Sequence, residues 1–118
     1  MSRSKIGSIV IDCDDFEEMM KFWMAVLRYM LRSPPKGGWV VLRDPVGKGP
    51  NVSLNLTSEG HLKEYRLHLD LYADDHDEEV ARIRKLGARV RRRRRAGDDF
   101  TVLEDPDGNP FCVIDTRR

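Results

Sequence analysis

Hydrophobic and polar positions follow two different periods along the chain, in the same order in each half. Short runs rich in β-branched residues at 6–12 and 65–73 predict the first strand of each half. Residues 16–28 and the stretch after Asp75 carry apolar side chains at helical spacing, and each predicts an amphipathic helix. The remaining predicted strands are 29–32, 39–43, 52–56, 88–93, 100–104 and 110–114. Both halves therefore have the order strand, helix, strand, strand, strand.

A near-repeat supports this duplication. The run VLRDPVG at 41–47 matches VLEDPDG at 102–108, and such self-similarity is a signature of repeated architecture. Asp15 with Glu18, and Asp75 with Glu78, each have the spacing of a helix capping box. Gly87 is a suitable stop for the second helix.

We therefore expect one domain over residues 1–118, with module one at about 5–57 and module two at about 65–116. One helix can cover only one face of each sheet, which leaves the other face bare. The predicted fold is α+β: two tandem βαβββ modules form an open, strongly curved mixed sheet around a shared cavity.

Composition narrows the classes of partner. Lys and Arg total 21 against 20 Asp and Glu, a formal net charge of +1, so a dedicated nucleic-acid binder is disfavoured. The chain has no long apolar run and no secretory leader, which predicts no membrane span and a cytoplasmic location. Cys13 and Cys112 do not make a disulfide framework.

Three stretches together resemble the vicinal oxygen chelate superfamily, which includes glyoxalase I, extradiol dioxygenases and bleomycin-resistance proteins. They are the helix with Phe22-Trp23 and Leu27, the strand HLDLYADD at 68–75, and the turn DPDGNPF at 105–111. The resemblance implies a glyoxalase-like domain, a small-molecule ligand and a homodimer. One departure is Arg28, where the superfamily usually has glycine after leucine, so we expect a distorted or shifted helix end.

The resemblance also implies where a metal would be held. The matching positions are Ser8 and His68 on the first strands, Cys112 on the last strand of module two, and Asn55, or Ser53 in a register shifted by two. Serine and amide side chains are poor ligands for divalent ions, which leaves His68 and Cys112 as weak metal candidates. A divalent metal cofactor is therefore possible but disfavoured, because catalytic sites generally keep three protein ligands.

Strand alternation predicts which neighbours share the cavity face. Asp70 and Tyr72 would share the face of His68, and Asp12 that of Ser8, whereas Leu67, Leu69 and Leu71 would pack on the helix. Asp70 could orient His68 as a general base, or the two could form a structural polar pair. The candidate ligand-binding residues are Ser8, Asp12, Asn55, His68, Asp70, Tyr72 and Cys112.

The run Arg89 and 91–95 places six arginines in seven positions. It could clamp an anion or nucleic acid, but a solvated edge strand protected by charge is favoured. His61 and His76 are expected to be solvated.

The favoured function is a glyoxalase-like or bleomycin-resistance-like domain that binds a small organic molecule without a firmly held metal. One alternative is a metal-dependent lyase, isomerase or dioxygenase, and another is an interaction module that uses the arginine-rich edge. Whether the chain catalyses a reaction is left open, and the sequence names no substrate.

Overall fold

The computed structural model describes residues 3–57 and 66–117. Their contacts divide the chain into two compact units: the described parts of Ser8–Leu67, and those of 1–7 and 68–118. The interpretation of residues 1–118 as one domain stays a prediction. Along the chain the order strand, helix, strand, strand, strand occurs twice, which confirms the α+β class and the tandem βαβββ modules.

Module one contains a mixed, open sheet and one helix. Its elements are β1 (Ser4–Cys13), α1 (Phe16–Leu27), β2 (Met30–Leu31), β3 (Trp39–Arg43) and β4 (Asn51–Leu56). The strand order is β2-β3-β4-β1. The first two pairings are antiparallel, and β4 pairs with β1 in parallel.

Module two repeats this arrangement. Its elements are β5 (Leu67–Ala73), α2 (His76–Lys85), β6 (Arg89–Arg92), β7 (Phe100–Glu104) and β8 (Pro110–Asp115). The strand order is β5-β8-β7-β6, so β6 is the outer strand of this module. β5 pairs with β8 in parallel, and the other two pairings are antiparallel. No helix in the described part of the chain is long and apolar enough to cross a membrane.

The core of module one lies where α1 covers the sheet. Buried Cys13, Val40, Leu42 and Leu54 are packed by Phe16, Met19, Met20, Trp23 and Met24 of the helix. Ile11 packs there, as strand alternation predicted. Val26 belongs to the apolar spacing of residues 16–28, which predicted a packed helix face, but it is 55% exposed. It lies one turn after the equally exposed Phe22, on a stripe at the margin of the contact.

The core of module two is smaller. Ala73, Leu103 and Val113 are buried, and Val80 and Ile83 of α2 pack against them. The prediction that Leu67 and Leu69 pack on the helix is wrong, because these side chains are 61% and 37% exposed. Ala73 is the last residue of β5, and a strand rises by about 3.3 Å per residue. The helix therefore covers the end of this strand, and the earlier leucines extend beyond it.

The end of α1 differs from the prediction. The helix ends at Leu27, and Arg28 itself adopts the left-handed conformation, with φ 58° and ψ 38°. The Tyr29 N–H then donates to the Met24 carbonyl at 3.2 Å. The expected distortion or shift is therefore absent from this helix end, because Arg28 takes the conformation that glycine usually supplies.

The two helix starts also differ from each other. The Asp75 carboxylate accepts a hydrogen bond from the Glu78 N–H at 3.2 Å, as predicted. Asp15 occupies the same position before α1 but makes no side-chain capping bond, so the predicted capping box is wrong there. Its φ and ψ of −102° and 75° differ from the extended backbone of Asp75.

The near-repeat corresponds to two similar turns. Asp44 accepts hydrogen bonds from the N–H groups of Val46, Lys48 and Gly49. Asp105 accepts from those of Asp107 and Asn109. The backbone bonds to Asp44 stabilise its charged carboxylate and lower its pKa. The pKa of Asp105 is lowered first by the Asn109 side chain, whose Nδ2 donates at 2.9 Å, and then by the backbone bonds. Each aspartate thus organises the turn that joins two antiparallel strands of its module.

Candidate functional site

A cluster of three polar side chains lies on one face of the module-two sheet. Asp70 of β5 is paired with Cys112 of β8, and His68 precedes Asp70 by two residues on the same face. The His68 Nε2 and Asp70 Oδ1 atoms are 3.5 Å apart. Candidate ligand atoms of the three residues all lie within 4.8 Å of one another. The pairing therefore brings together an imidazole, a buried carboxylate and a thiol.

The environment of Cys112 keeps its thiol neutral. Burial raises its pKa most, the negative charge of Asp70 raises it further, and a hydrogen bond to Asp70 adds to the effect. Together these effects raise the pKa of Cys112 to about 12. The side chain is consequently a neutral thiol near pH 7.

Tyr72 continues the same face of β5. Its ring lies so close to Gly7 of β1 that a Cβ atom at position 7 would overlap the ring. Tyr72 also lines a cavity of about 630 Å³, together with Arg3, Lys5 and Asp74. A residue without a side chain at position 7 is thus what allows the ring to lie there.

The module-one residues form two separate pairs. The Ser8 and Ser53 hydroxyls are 2.6 Å apart and almost fully buried. Asn55 Nδ2 donates to Asp12 Oδ1 at 3.2 Å, across paired positions of β4 and β1. These are the four predicted polar residues of this module, including the alternative Ser53.

The strand register decides between Asn55 and Ser53. Val10 pairs with Ser53 in module one, and Asp70 pairs with Cys112 in module two. Val10 and Asp70 are sixty residues apart, at matching positions of the two modules. The counterpart of Cys112 is therefore Ser53, the alternative register, and Asn55 is the partner of Asp12.

The module-two cluster fits a metal ion better than the sequence indicated. Imidazole nitrogen, carboxylate oxygen and cysteine sulfur are all ligands of zinc, and catalytic zinc sites generally keep three protein ligands. From the sequence, His68 and Cys112 were the two weak metal candidates, and Asp70 was only a residue that could orient His68. The His-x-Asp spacing on a strand was the signal for a third donor, because it places both side chains on one face.

The arginine run is partly compensated by carboxylates. Arg92 contacts Asp98 at 3.1 Å, and Arg94 contacts Asp115 at 2.8 Å. The Arg92 guanidinium also lies over the Phe100 ring, 4.9 Å from its centroid. β6 is the outer strand of its module, as expected for a charge-protected edge.

The predictions for the other two histidines, His61 and His76, have different outcomes. His76 was expected to be solvated, but it is only 6% exposed, because its ring is held between two partners. Nε2 lies 2.9 Å from Thr101 Oγ1, and Nδ1 lies 2.7 Å from Asp77 Oδ1. The prediction for His61 lies outside the described residues.

The sequence model of the glyoxalase-like domain family matches residues 8–114. The chain therefore belongs to the glyoxalase-like domain family, and the resemblance to the vicinal oxygen chelate superfamily is confirmed. No curated protein matches the chain.

Solved structures agree on the fold. A glyoxalase/bleomycin resistance protein/dioxygenase superfamily member from Vibrio splendidus 12B01 is 15% identical, with a TM-score of 0.64 and coverage of 98% of this chain and 99% of that chain. Methylmalonyl-CoA epimerase from Mycobacterium tuberculosis is 17% identical, with a TM-score of 0.68. The match covers 93% of this chain and 86% of that chain. A variant of the Streptomyces coelicolor methylmalonyl-CoA epimerase, in complex with 2-nitronate-propionyl-CoA, is 18% identical, with a TM-score of 0.67. The match covers 97% of this chain and 98% of that chain. At these identities the similarity concerns the fold alone.

Proposed function

We propose that this chain binds a small organic molecule through the polar face that carries His68, Asp70, Tyr72 and Cys112, without a firmly held metal ion. The observation that carries the proposal is the cluster of His68, the buried Asp70 and Cys112 on two adjacent strands. A few convergent polar groups on rigid strands are typical of small-molecule sites.

The chemistry of the cluster supports an uncharged or weakly polar guest group. His68 can donate or accept a hydrogen bond, whereas Cys112 is a neutral thiol beside the Asp70 carboxylate. A carbonyl or hydroxyl group could therefore replace water at the imidazole. The S. coelicolor epimerase is in complex with 2-nitronate-propionyl-CoA, so a coenzyme A compound is one class of ligand to test.

In a catalysed reaction, His68 would act as the base and Asp70 as its positioning residue. The 3.5 Å separation of His68 Nε2 and Asp70 Oδ1 is long for a hydrogen bond, so Asp70 would position the ring mainly through its charge. In module one, the proposed ligand-binding residues are Ser8, Ser53, Asp12 and Asn55. Their side chains hydrogen-bond in pairs, so a ligand would have to compete with those bonds.

A second candidate is a metal-dependent lyase, isomerase or dioxygenase. The three donor atoms within 4.8 Å favour it, and His68, Asp70 and Cys112 would hold the ion. Such an ion would supply Lewis-acid polarisation of a bound oxygen. Against a firmly held metal, Cys112 would have to lose its proton on binding the ion, and burial and the charge of Asp70 both oppose that loss in the metal-free protein.

One preparation tests both candidates. The protein is purified without chelator, and native mass spectrometry and elemental analysis measure the copurifying small molecule and the metal content. We expect a bound organic compound and less than stoichiometric metal. His68→Ala and Asp70→Asn should each lose the compound, and the control Asp107→Asn, which removes an exposed charge in a turn, should retain it.

A stoichiometric ion that disappears in His68→Ala would instead establish the metal-dependent candidate. An organic compound retained equally by all three variants would place the ligand elsewhere and contradict the proposed face.

The resemblance to the superfamily also suggests a homodimer, and the composition suggests a cytoplasmic location. Sedimentation velocity would test the dimer, and a monomer at micromolar concentration would contradict it.

A further inference from the structure

A second recess of module two is lined by arginines. α2, the segment after β6 and β7 border a cleft of about 380 Å³. Arg84 of α2 lines it from one side, and Arg93 and Arg94 line it from the other. We propose that this cleft binds the phosphate group of a small phosphomonoester.

Two of the three guanidinium groups have unused hydrogen-bonding capacity. Within residues 3–57 and 66–117, no carboxylate lies in ion-pair distance of Arg84 or Arg93, and both residues are exposed. Guanidinium groups present several donors in a fixed plane that matches phosphate oxygens. Arg84 and Arg93 therefore supply the charge that an anion would meet first.

The third arginine is already oriented. Arg94 contacts Asp115 at 2.8 Å and Asp77 at 3.5 Å, and its side chain is only 27% exposed. Asp77 also holds the Nδ1 atom of buried His76 at 2.7 Å. The three arginines still outnumber these two carboxylates, and the ion pairs hold one wall of the cleft in place.

The remaining lining suits a small organic portion. Val80 of α2 and Val90 of β6 contribute apolar surface, and the floor is formed by His76 and Thr101, which are bonded to each other. A volume of about 380 Å³ is at the lower end of the range for small-molecule sites. This favours a compact phosphomonoester over a nucleic-acid strand, for which a long groove and stacking side chains are expected.

The cleft is separate from the cluster of His68, Asp70 and Cys112. Val113 of β8 is paired with Thr101 of the cleft, whereas its neighbour Cys112 is paired with Val102. Adjacent residues of a strand point to opposite faces. The cleft therefore lies on the α2-covered face of this sheet, and Cys112 lies on the other face. The two proposals can fail independently.

Titration calorimetry with inorganic phosphate and with phenyl phosphate, at constant ionic strength, tests the site. We expect saturable binding of one equivalent, in the millimolar range for inorganic phosphate and tighter for the phenyl ester. Charged hydrogen bonds of this kind correspond to about a tenfold change in affinity per guanidinium. Arg84→Gln/Arg93→Gln should therefore weaken binding about a hundredfold.

The matched control is Arg89→Gln/Arg95→Gln, which removes the same charge from exposed arginines that do not line the cleft. It should bind phosphate like the unmodified protein, and so should His68→Ala. Far-UV circular dichroism verifies that each variant is folded.

Three results would overturn the proposal: absence of saturable phosphate binding, equal weakening in both double variants, or tighter binding to a single-stranded oligonucleotide that both double variants lose equally. The last two would assign the arginines a general electrostatic role.

Discussion

Asp70 and Cys112 occupy paired positions of β5 and β8, and the Asp70 carboxylate contributes to the raised pKa of the Cys112 thiol. The pair explains why a half-buried cysteine next to a histidine is not a reactive thiolate. Its pKa, raised to about 12, reflects burial first and the carboxylate second.

Asp70→Asn should lower the pKa of Cys112, because the substitution removes a negative charge that disfavours the thiolate. The pKa should stay above its ordinary value, since burial is the larger cause. The pH dependence of iodoacetamide alkylation, resolved by peptide mass spectrometry, measures this shift. Cys13 serves as the internal control, because Asp70 is not among the causes of its raised pKa. An unchanged Cys112 profile would contradict the contact.

Cys112 should also make the protein less stable at high pH. The folded thiol holds its proton more tightly than the unfolded thiol, so its contribution is fully present below pH 9.0 and is lost as the pH rises towards about 12. Urea unfolding at pH 8 and pH 10.5 should show a smaller decrease in free energy of unfolding for Cys112→Ser than for the unmodified protein. Parallel decreases in both proteins would show that other groups dominate.

Arg28→Gly should stabilise the protein. Arg28 has φ 58°, and the left-handed conformation is unfavourable for a residue with a Cβ atom. After allowing for the greater entropy of an unfolded glycine, the gain should be about 0.5–1 kcal/mol. Chemical denaturation measures it, with Arg28→Ala as the control that removes the charge and keeps the strain. A gain of equal size in Arg28→Ala would assign the effect to charge.

The two helix-start aspartates should respond differently to alanine. Asp75 accepts the Glu78 N–H, so Asp75→Ala should reduce the free energy of unfolding by about 1 kcal/mol. Asp15 makes no such bond, and Asp15→Ala should cost clearly less. Denaturant midpoints of the two variants give a matched comparison, since both remove one carboxylate before a helix. Similar losses would indicate a cap at Asp15 as well.

Gly7→Ala should displace the Tyr72 ring, because the new Cβ atom would overlap it. Overpacking of this kind costs about 1–3 kcal/mol. The same substitution in a Tyr72→Ala background should cost less, and the difference is the coupling between the two positions. Thermal unfolding of the four proteins measures the cycle. Additive effects would mean that the ring moves away without cost.

Local sequence signals were sufficient to predict the helices and strands of this fold and their order. Apolar periodicity located α1 and α2 because a helix face and a strand face differ in period, and this is visible within ten residues. The near-repeat identified the two Asp-Pro turns, where Asp44 and Asp105 later proved to bond the turn backbone. The His-x-Asp spacing of His68 and Asp70 likewise implied a common face.

Features that depend on residues far apart in the sequence were visible only in the tertiary structure. Strand register placed Ser53, and not Asn55, as the counterpart of Cys112, because pairing partners are set by the whole sheet. Leu69 lies on the face of β5 that strand alternation predicted. It is exposed because α2 does not extend far enough to cover it.

Burial of His76 also required distant partners. Thr101, which contacts its ring, is 25 residues away along the chain. Sequence alone thus determined the type and order of the elements through short-range periodicity, and packing between distant residues determined the surroundings of each functional side chain.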